Sequence, residues 1–182
     1  MNFFRKISST LLIASLFILG CVSTACDANE PSITINESDE VAIYSAVIHQ
    51  IYFAGHSFDD APVLYIIRYT DDTANDPIAN PSEPILISES VQSEMKDTLD
   101  DLPTEIVWVN SSDEVPQDSW GTVLDGGVII TIGNVNLQED NSVQVPCSYY
   151  MAGTGGGGKT YVLRRVEGIW HITGTTGTMW IS

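Results

Sequence analysis

The chain has 182 residues, 43% of them hydrophobic, and no internal repeat period, which suits one folded domain with one core. Acidic residues outnumber basic ones 24 to 7, for a formal net charge of −17. A field of that sign repels phosphate backbones and anionic headgroups, so it argues against nucleic acid and acidic lipid as ligands.

In chain order, Arg5 and Lys6 form a basic start, and Ile7 to Leu19 form an apolar run too short to cross a bilayer as a mature helix. The small residue Gly20 then precedes Cys21. Ile18-Leu-Gly-Cys21 resembles the lipobox of bacterial lipoproteins, with its aliphatic, variable and small residues before a cysteine. The resemblance implies cleavage before Cys21, a lipid on Cys21, and anchorage on the outer face of the cell membrane or in the outer membrane. Cys26 fits the pattern less well, because Ser23 stands where an aliphatic residue belongs. The alternative is an ordinary secretory signal cleaved nearby, and either way export is expected. The expected organisation is a signal peptide over 1–20, a polar tether over 21–36 and a single domain over 37–182. Once Arg5 and Lys6 leave with the signal, five basic residues remain against 24 acidic ones. Such a surface is either plainly solvated or a docking face for a basic protein partner or divalent cations.

The domain opens at Asn36-Glu-Ser-Asp-Glu40, where Asn36 or Ser38 can cap a helix and the acids favour its N-terminus. Val41, Tyr44, Val47, Ile48, Ile51 and Tyr52 recur at helical spacing, and Gly55 is placed to end the helix. Residues 62–69 form a nearly continuous apolar run, which predicts a strand at least partly covered on both faces. Residues 70–84 are rich in proline, asparagine and acids and predict a surface loop. A second helix is expected from Ser88 through Val91, Met95, Leu99 and Leu102, stopping before Pro103. Residues 105–109 follow as a strand and 110–127 as a long ordered loop. The last third alternates as strands at 128–137, 143–151, 160–166, 169–173 and 178–181, with Glu167-Gly168 as a tight turn. The predicted class is α+β, with two helices packed on a curved, mainly antiparallel sheet of about six strands.

Tyr161-Val-Leu163, with Gly168, Trp170 and Ile172 after it, resembles the final hairpin of small exported proteins with the cone-shaped fold of ketosteroid isomerase and nuclear transport factor two. Members of that superfamily are enzymes, ligand carriers or docking modules, so the resemblance leaves function open. It implies a cone interior, for which Trp108, Tyr149, Tyr161 and Trp170 are the candidate lining residues. That interior either takes a small apolar ligand or is filled core.

Gly153-Thr-Gly-Gly-Gly-Gly158-Lys159-Thr160 satisfies the G-x4-G-K-[ST] pattern of a phosphate-binding loop. That mechanism needs a helix N-terminus after the loop, whereas 160–166 alternates as a strand, so a flexible hairpin loop and no nucleotide are expected. No cofactor is expected either. Among the histidines, His56 stands beside Asp59 and Asp60, His49 precedes it by seven residues on the first helix, and His171 alternates with Trp170 and Ile172. His49, His56, Asp59 and His171 are therefore the acid–base candidates, each set against a solvated surface residue as the plainer account. Asp71, Asp72 and Asp76 suggest calcium, yet the EF-hand register puts Ala74 and Pro77 at two required positions, which leaves an ordinary exposed loop as the expectation. Cys147 shares a strand face with Val145 and Tyr149 and is expected to be a small buried apolar residue. An oxidising compartment permits a Cys26–Cys147 disulfide, against which stands the place of Cys26 in the tether. Two functions follow from the sequence: an exported, lipid-anchored binding or interaction module, or a small cone-fold hydrolase or isomerase with an acid–base pair in its pocket.

Overall fold

A computed structural model of the protein describes residues 33–54, 60–80 and 83–182. Helix α1 (Glu37–Ala54) is capped reciprocally: the Asp39 amide donates 3.0 Å to Asn36 Oδ1, and the Asn36 amide donates 3.4 Å to Asp39 Oδ2. The helix is buried on most of its circumference, with Val41, Ile43, Tyr44, Val47, Ile48, Ile51 and Tyr52 all in the core. Just before it, Ile33 and Ile35 also pack against that core. No helix among the described residues is long and apolar enough to cross a membrane.

The remaining elements are β1 (Val63–Ile67), α2 (Glu89–Thr98), β2 (Glu105–Val109), β3 (Val128–Ile132), β4 (Asn136–Leu137), β5 (Val143–Ala152), β6 (Gly155–Val166) and β7 (Ile169–Ile181). They form one open, mixed sheet in the order β2-β1-β3-β5-β6-β7, with β4 pairing β5. β1 runs parallel to both β2 and β3, and the other pairings are antiparallel. The architecture is thus the expected α+β one, two helices on a sheet.

The parallel part arises because α2 carries the chain from β1 to β2 over one face, and 110–127 carries it back past β1 to β3. Ser88 caps α2, its Oγ accepting from the Val91 amide at 3.3 Å. Val91 and Met95 of α2 join α1 and the inner sheet residues Leu64, Ile66, Ile130, Val145, Cys147, Tyr161 and Leu163 in the main core. The opposite face carries a smaller core of Val109, Val115, Val123 and Ile129, two of them supplied by the 110–127 segment. This is why the apolar run 62–69 reads as covered on both sides.

Three differences from the sequence expectation all fall at glycines. The run 128–137 is broken at Gly133, where a Cβ would lie 2.9 Å from both the Asp72 carboxylate and the Pro146 ring. The final segments 169–173 and 178–181 are one continuous strand, β7, which accommodates its glycines through register shifts against β6. The glycine run is strand rather than flexible loop: only Gly153 and Thr154 turn, and Gly155 to Gly158 pair with β5 on one side, with Gly157 and Gly158 also pairing β7. At Gly133 and along Gly156 to Gly158 atoms from other segments occupy the space a Cβ would take, a constraint that local propensity does not carry, whereas a Cβ at Gly174 of β7 would meet nothing within 4 Å.

The β6–β7 turn is as expected. Glu167 (φ 51°) and Gly168 (φ 86°) are its two central residues, between the paired Val166 and Ile169. Two positive φ angles mark the primed turn that matches the twist of flanking strands.

Candidate functional site

Both faces of the glycine run are clad by aromatic rings. On the helix side the Tyr149 ring lies over Gly157, so close that a Cβ there would sit 3.0 Å from its hydroxyl. On the far side the Trp180 indole covers Gly156 and Gly158, and its Nε1 donates 2.9 Å to the Ala74 carbonyl. The missing side chains let these rings rest on bare backbone, a known way to stabilise glycine within a sheet.

On the helix side the same arrangement leaves a cavity of about 210 Å³, bounded by Ile51 at the end of α1, Cys147 and Tyr149 of β5, Lys159 and Tyr161 of β6, and Met179 of β7. The Gly157 and Gly158 backbone lies along it, and Trp180 and Ile181 complete the wall. Burial pushes the Cys147 thiol and the Tyr161 hydroxyl far above their ordinary ranges, so both are neutral at physiological pH. Lys159 is half-buried, with its Nζ 5.1 Å from the centre of the Tyr161 ring. Among the described lining residues it is the one charge, and neither a carboxylate nor a histidine is present.

The structure gathers two of the four lining candidates here, Tyr149 and Tyr161, and sends the other two elsewhere. Trp108 is half-buried against the main core, its Nε1 enclosed with no hydrogen-bond partner among the described residues. Trp170 is buried near the start of α1, where its Nε1 donates 2.9 Å to Asp39 Oδ1. Arg165 meets the same oxygen at 3.2 Å and stacks over the indole at 5.8 Å. Asp39 therefore caps α1 and ties it to the last hairpin.

Of the acid–base candidates, His49 pairs with Asp101 at 3.3 Å and borders a groove of about 490 Å³ that also contains Asp39, Arg165 and Trp170. His171 is exposed on the outer face of β7. His56 and Asp59 lie outside the described residues, as do Cys21 and Cys26.

The acids 71–76 form a stitched turn. Asp71 Oδ1 accepts from the amide and hydroxyl of Thr73 at 2.8 and 2.6 Å. Asp72 accepts from the amide and side chain of Asn134 at 2.7 and 2.9 Å, and Asp76 from the Ile78 amide at 3.2 Å. Among the described residues no three metal-ligating side chains converge. The loop instead braces the β3–β4 break and presents the Ala74 carbonyl to Trp180.

A third and larger concavity, about 700 Å³, opens beyond the carboxyl ends of β1 and β2, where Thr70, Asp71, Asn110, Ser111, Ser112 and Gln117 surround Ile67 and Ile129. Such ends of parallel strands are frequent ligand sites. No local sequence signal marks it, because Asn110 and Gln117 come to one concavity with Thr70 only through the parallel pairing of β1 and β2.

Trp180 and Met179 were also missed as site residues. The available signal was an aromatic at the chain end opposite an uninterrupted glycine run, a pairing that makes sense only if the glycines form a strand.

Compared with known proteins, the chain matches no family model, no curated protein and no solved structure.

Proposed function

We propose that this protein is an exported, lipid-anchored binding module that holds a small apolar ligand in the cavity beneath Tyr149 and Tyr161. The observation that carries this reading is the construction of the cavity itself: tyrosine faces, a methionine and a bare glycine backbone around about 210 Å³. A dry cavity of about 150 Å³ is enough to bind benzene, so this one has room for a single ring with a short substituent. Small-ligand sites have this character, apolar walls with few polar groups. The lipobox at Cys21 supports the anchor.

A small hydrolase or isomerase is the second reading, and the observation favouring it is the His49–Asp101 pair beside its groove. Binding leads because the aromatic cavity has neither histidine nor carboxylate among its described lining residues, and its thiol and Tyr161 hydroxyl are held neutral by burial.

The binding test is thermal melting with indole. Binding raises the melting temperature of the wild type, and Met179→Trp, at an exposed rim position, closes the mouth and abolishes the rise. No indole effect on the wild type rejects the small-ligand reading. The anchor is tested by fractionation: Cys21→Ala moves the protein out of the membrane fraction, and unchanged fractionation and lipid labelling reject lipidation.

A further inference from the structure

We propose that the cavity selects a single-ring carboxylate, its ring between Tyr149 and Tyr161 and its carboxylate paired with the Lys159 ammonium. This inference rests on the small-ligand reading of the cavity and adds the charge of the ligand.

Five basic residues lie in the described part of the chain, and two of them are in ion pairs. Arg164 is paired with Asp140, and Arg165 with Asp39. Lys96 stands in the last turn of α2, where a cation complements the helix dipole, and Arg68 is half-buried, its Nε enclosed without a hydrogen-bond partner among the described residues. Lys159 differs from these in its place at an apolar cavity. It is half-buried, lines an apolar cavity, and among the described residues forms no ion pair, in a chain with 24 acidic residues to offer. Its one described contact is the face of Tyr161.

The placement follows from strand register. Lys159 is directly opposite Cys147 on β5 and two residues from Tyr161, so all three project from the helix-side face. A lysine on an inward strand face needs either an escape route for its head or a counter-charge. The cavity provides no counter-charge, because burial keeps its thiol and the Tyr161 hydroxyl protonated. A ligand carboxylate supplies one, and charge-assisted contacts of this kind are among the stronger hydrogen bonds.

The ring finds Tyr149 and Tyr161 faces and the Met179 thioether, groups that pack well on an aromatic ring. The chain's overall negative charge opposes an approaching anion. That long-range field is screened over roughly 8 Å at physiological ionic strength, whereas the contact pair at Lys159 is not.

Calorimetric titration of the full chain with phenylacetate and with its neutral isostere phenylacetamide, at physiological ionic strength, tests the proposal. The wild type is expected to bind the acid about tenfold more tightly than the amide, the scale of one hydrogen bond to a charged group. Lys159→Gln erases that preference by weakening the acid more than the amide, and Lys159→Arg retains it. Equal binding of acid and amide by the wild type overturns the anion inference and leaves the small-ligand reading standing, as does a preference that survives in Lys159→Gln. Binding of neither compound overturns both. Should Lys159→Gln fail to fold, the wild-type comparison of acid with amide decides.

Discussion

The indole Nε1 of Trp180 donates to the carbonyl oxygen of Ala74 across the bare backbone of Gly158, at 2.9 Å. A Cβ on residue 158 would lie 2.2 Å from that oxygen and 2.3 Å from that nitrogen. Both partners are held by the contact that the Cβ would break. Gly158→Ala should therefore cost about 2–3 kcal/mol, the range for forcing extra atoms into a packed site. At Gly157 the three nearest atoms all belong to the Tyr149 side chain, the closest at 3.0 Å, so Gly157→Ala should cost less, about 1 kcal/mol. Gly153→Ala meets nothing within 4 Å and should stay within about 0.5 kcal/mol of wild type. Urea unfolding of the three variants orders them, and a Gly158 variant as stable as the Gly153 one contradicts the packing described.

Trp170 and His171 are neighbours with opposite fates. Trp170 is 5% exposed and donates to Asp39, which is itself 3% exposed, whereas His171 faces solvent. Trp170→Ala removes a core aromatic and takes from a buried carboxylate one of its donors. A loss of about 3–5 kcal/mol or outright unfolding is expected. His171→Ala should change stability by no more than about 0.5 kcal/mol. Denaturant titration of both variants checks this, and a damaging His171 change would mean that the strand faces are reversed.

Alkaline pH should expose the buried tyrosines. Burial, with smaller contributions from Glu40 and Asp72, raises Tyr44 far above its ordinary 10.0. A group whose folded pKa is raised contributes stability that is complete below its unfolded pKa and is lost as pH rises toward the folded value. Nothing is lost from Tyr44 at pH 8, and above pH 10 stability falls by up to about 1.4 kcal/mol per pH unit on its account. Tyr44→Phe removes that contribution. Urea midpoints between pH 8 and pH 11 should thus fall less steeply in the variant, and equal slopes would reject the assignment.

The elements were largely legible in the sequence, and the site was not. The α1 stripe from Val41 to Tyr52, the Ser88 cap and the Glu167-Gly168 turn are local signals, each carried by residues within a turn or two of one another. The parallel pairing of β1 with β2 and β3 has no local signature beyond a run apolar on both faces. Asp39 reads locally as an acid favouring a helix start, and its tie to Trp170 spans 131 residues. The glycine run misleads for the same reason. By propensity four glycines make a loop, and here two rings from the neighbouring strands, Tyr149 and Trp180, supply the packing that glycine lacks.

The central claim is that the space under Tyr149 and Tyr161 is a ligand cavity. Amide chemical-shift mapping of the ¹⁵N-labelled protein during titration with indole tests it most directly. The account predicts saturable shifts at Cys147, Tyr149, Gly157, Gly158 and Lys159, with the fold otherwise unchanged. Shifts confined to Thr70, Asn110, Ser111 and Gln117, at the carboxyl ends of β1 and β2, or no saturable shifts at all, would contradict it.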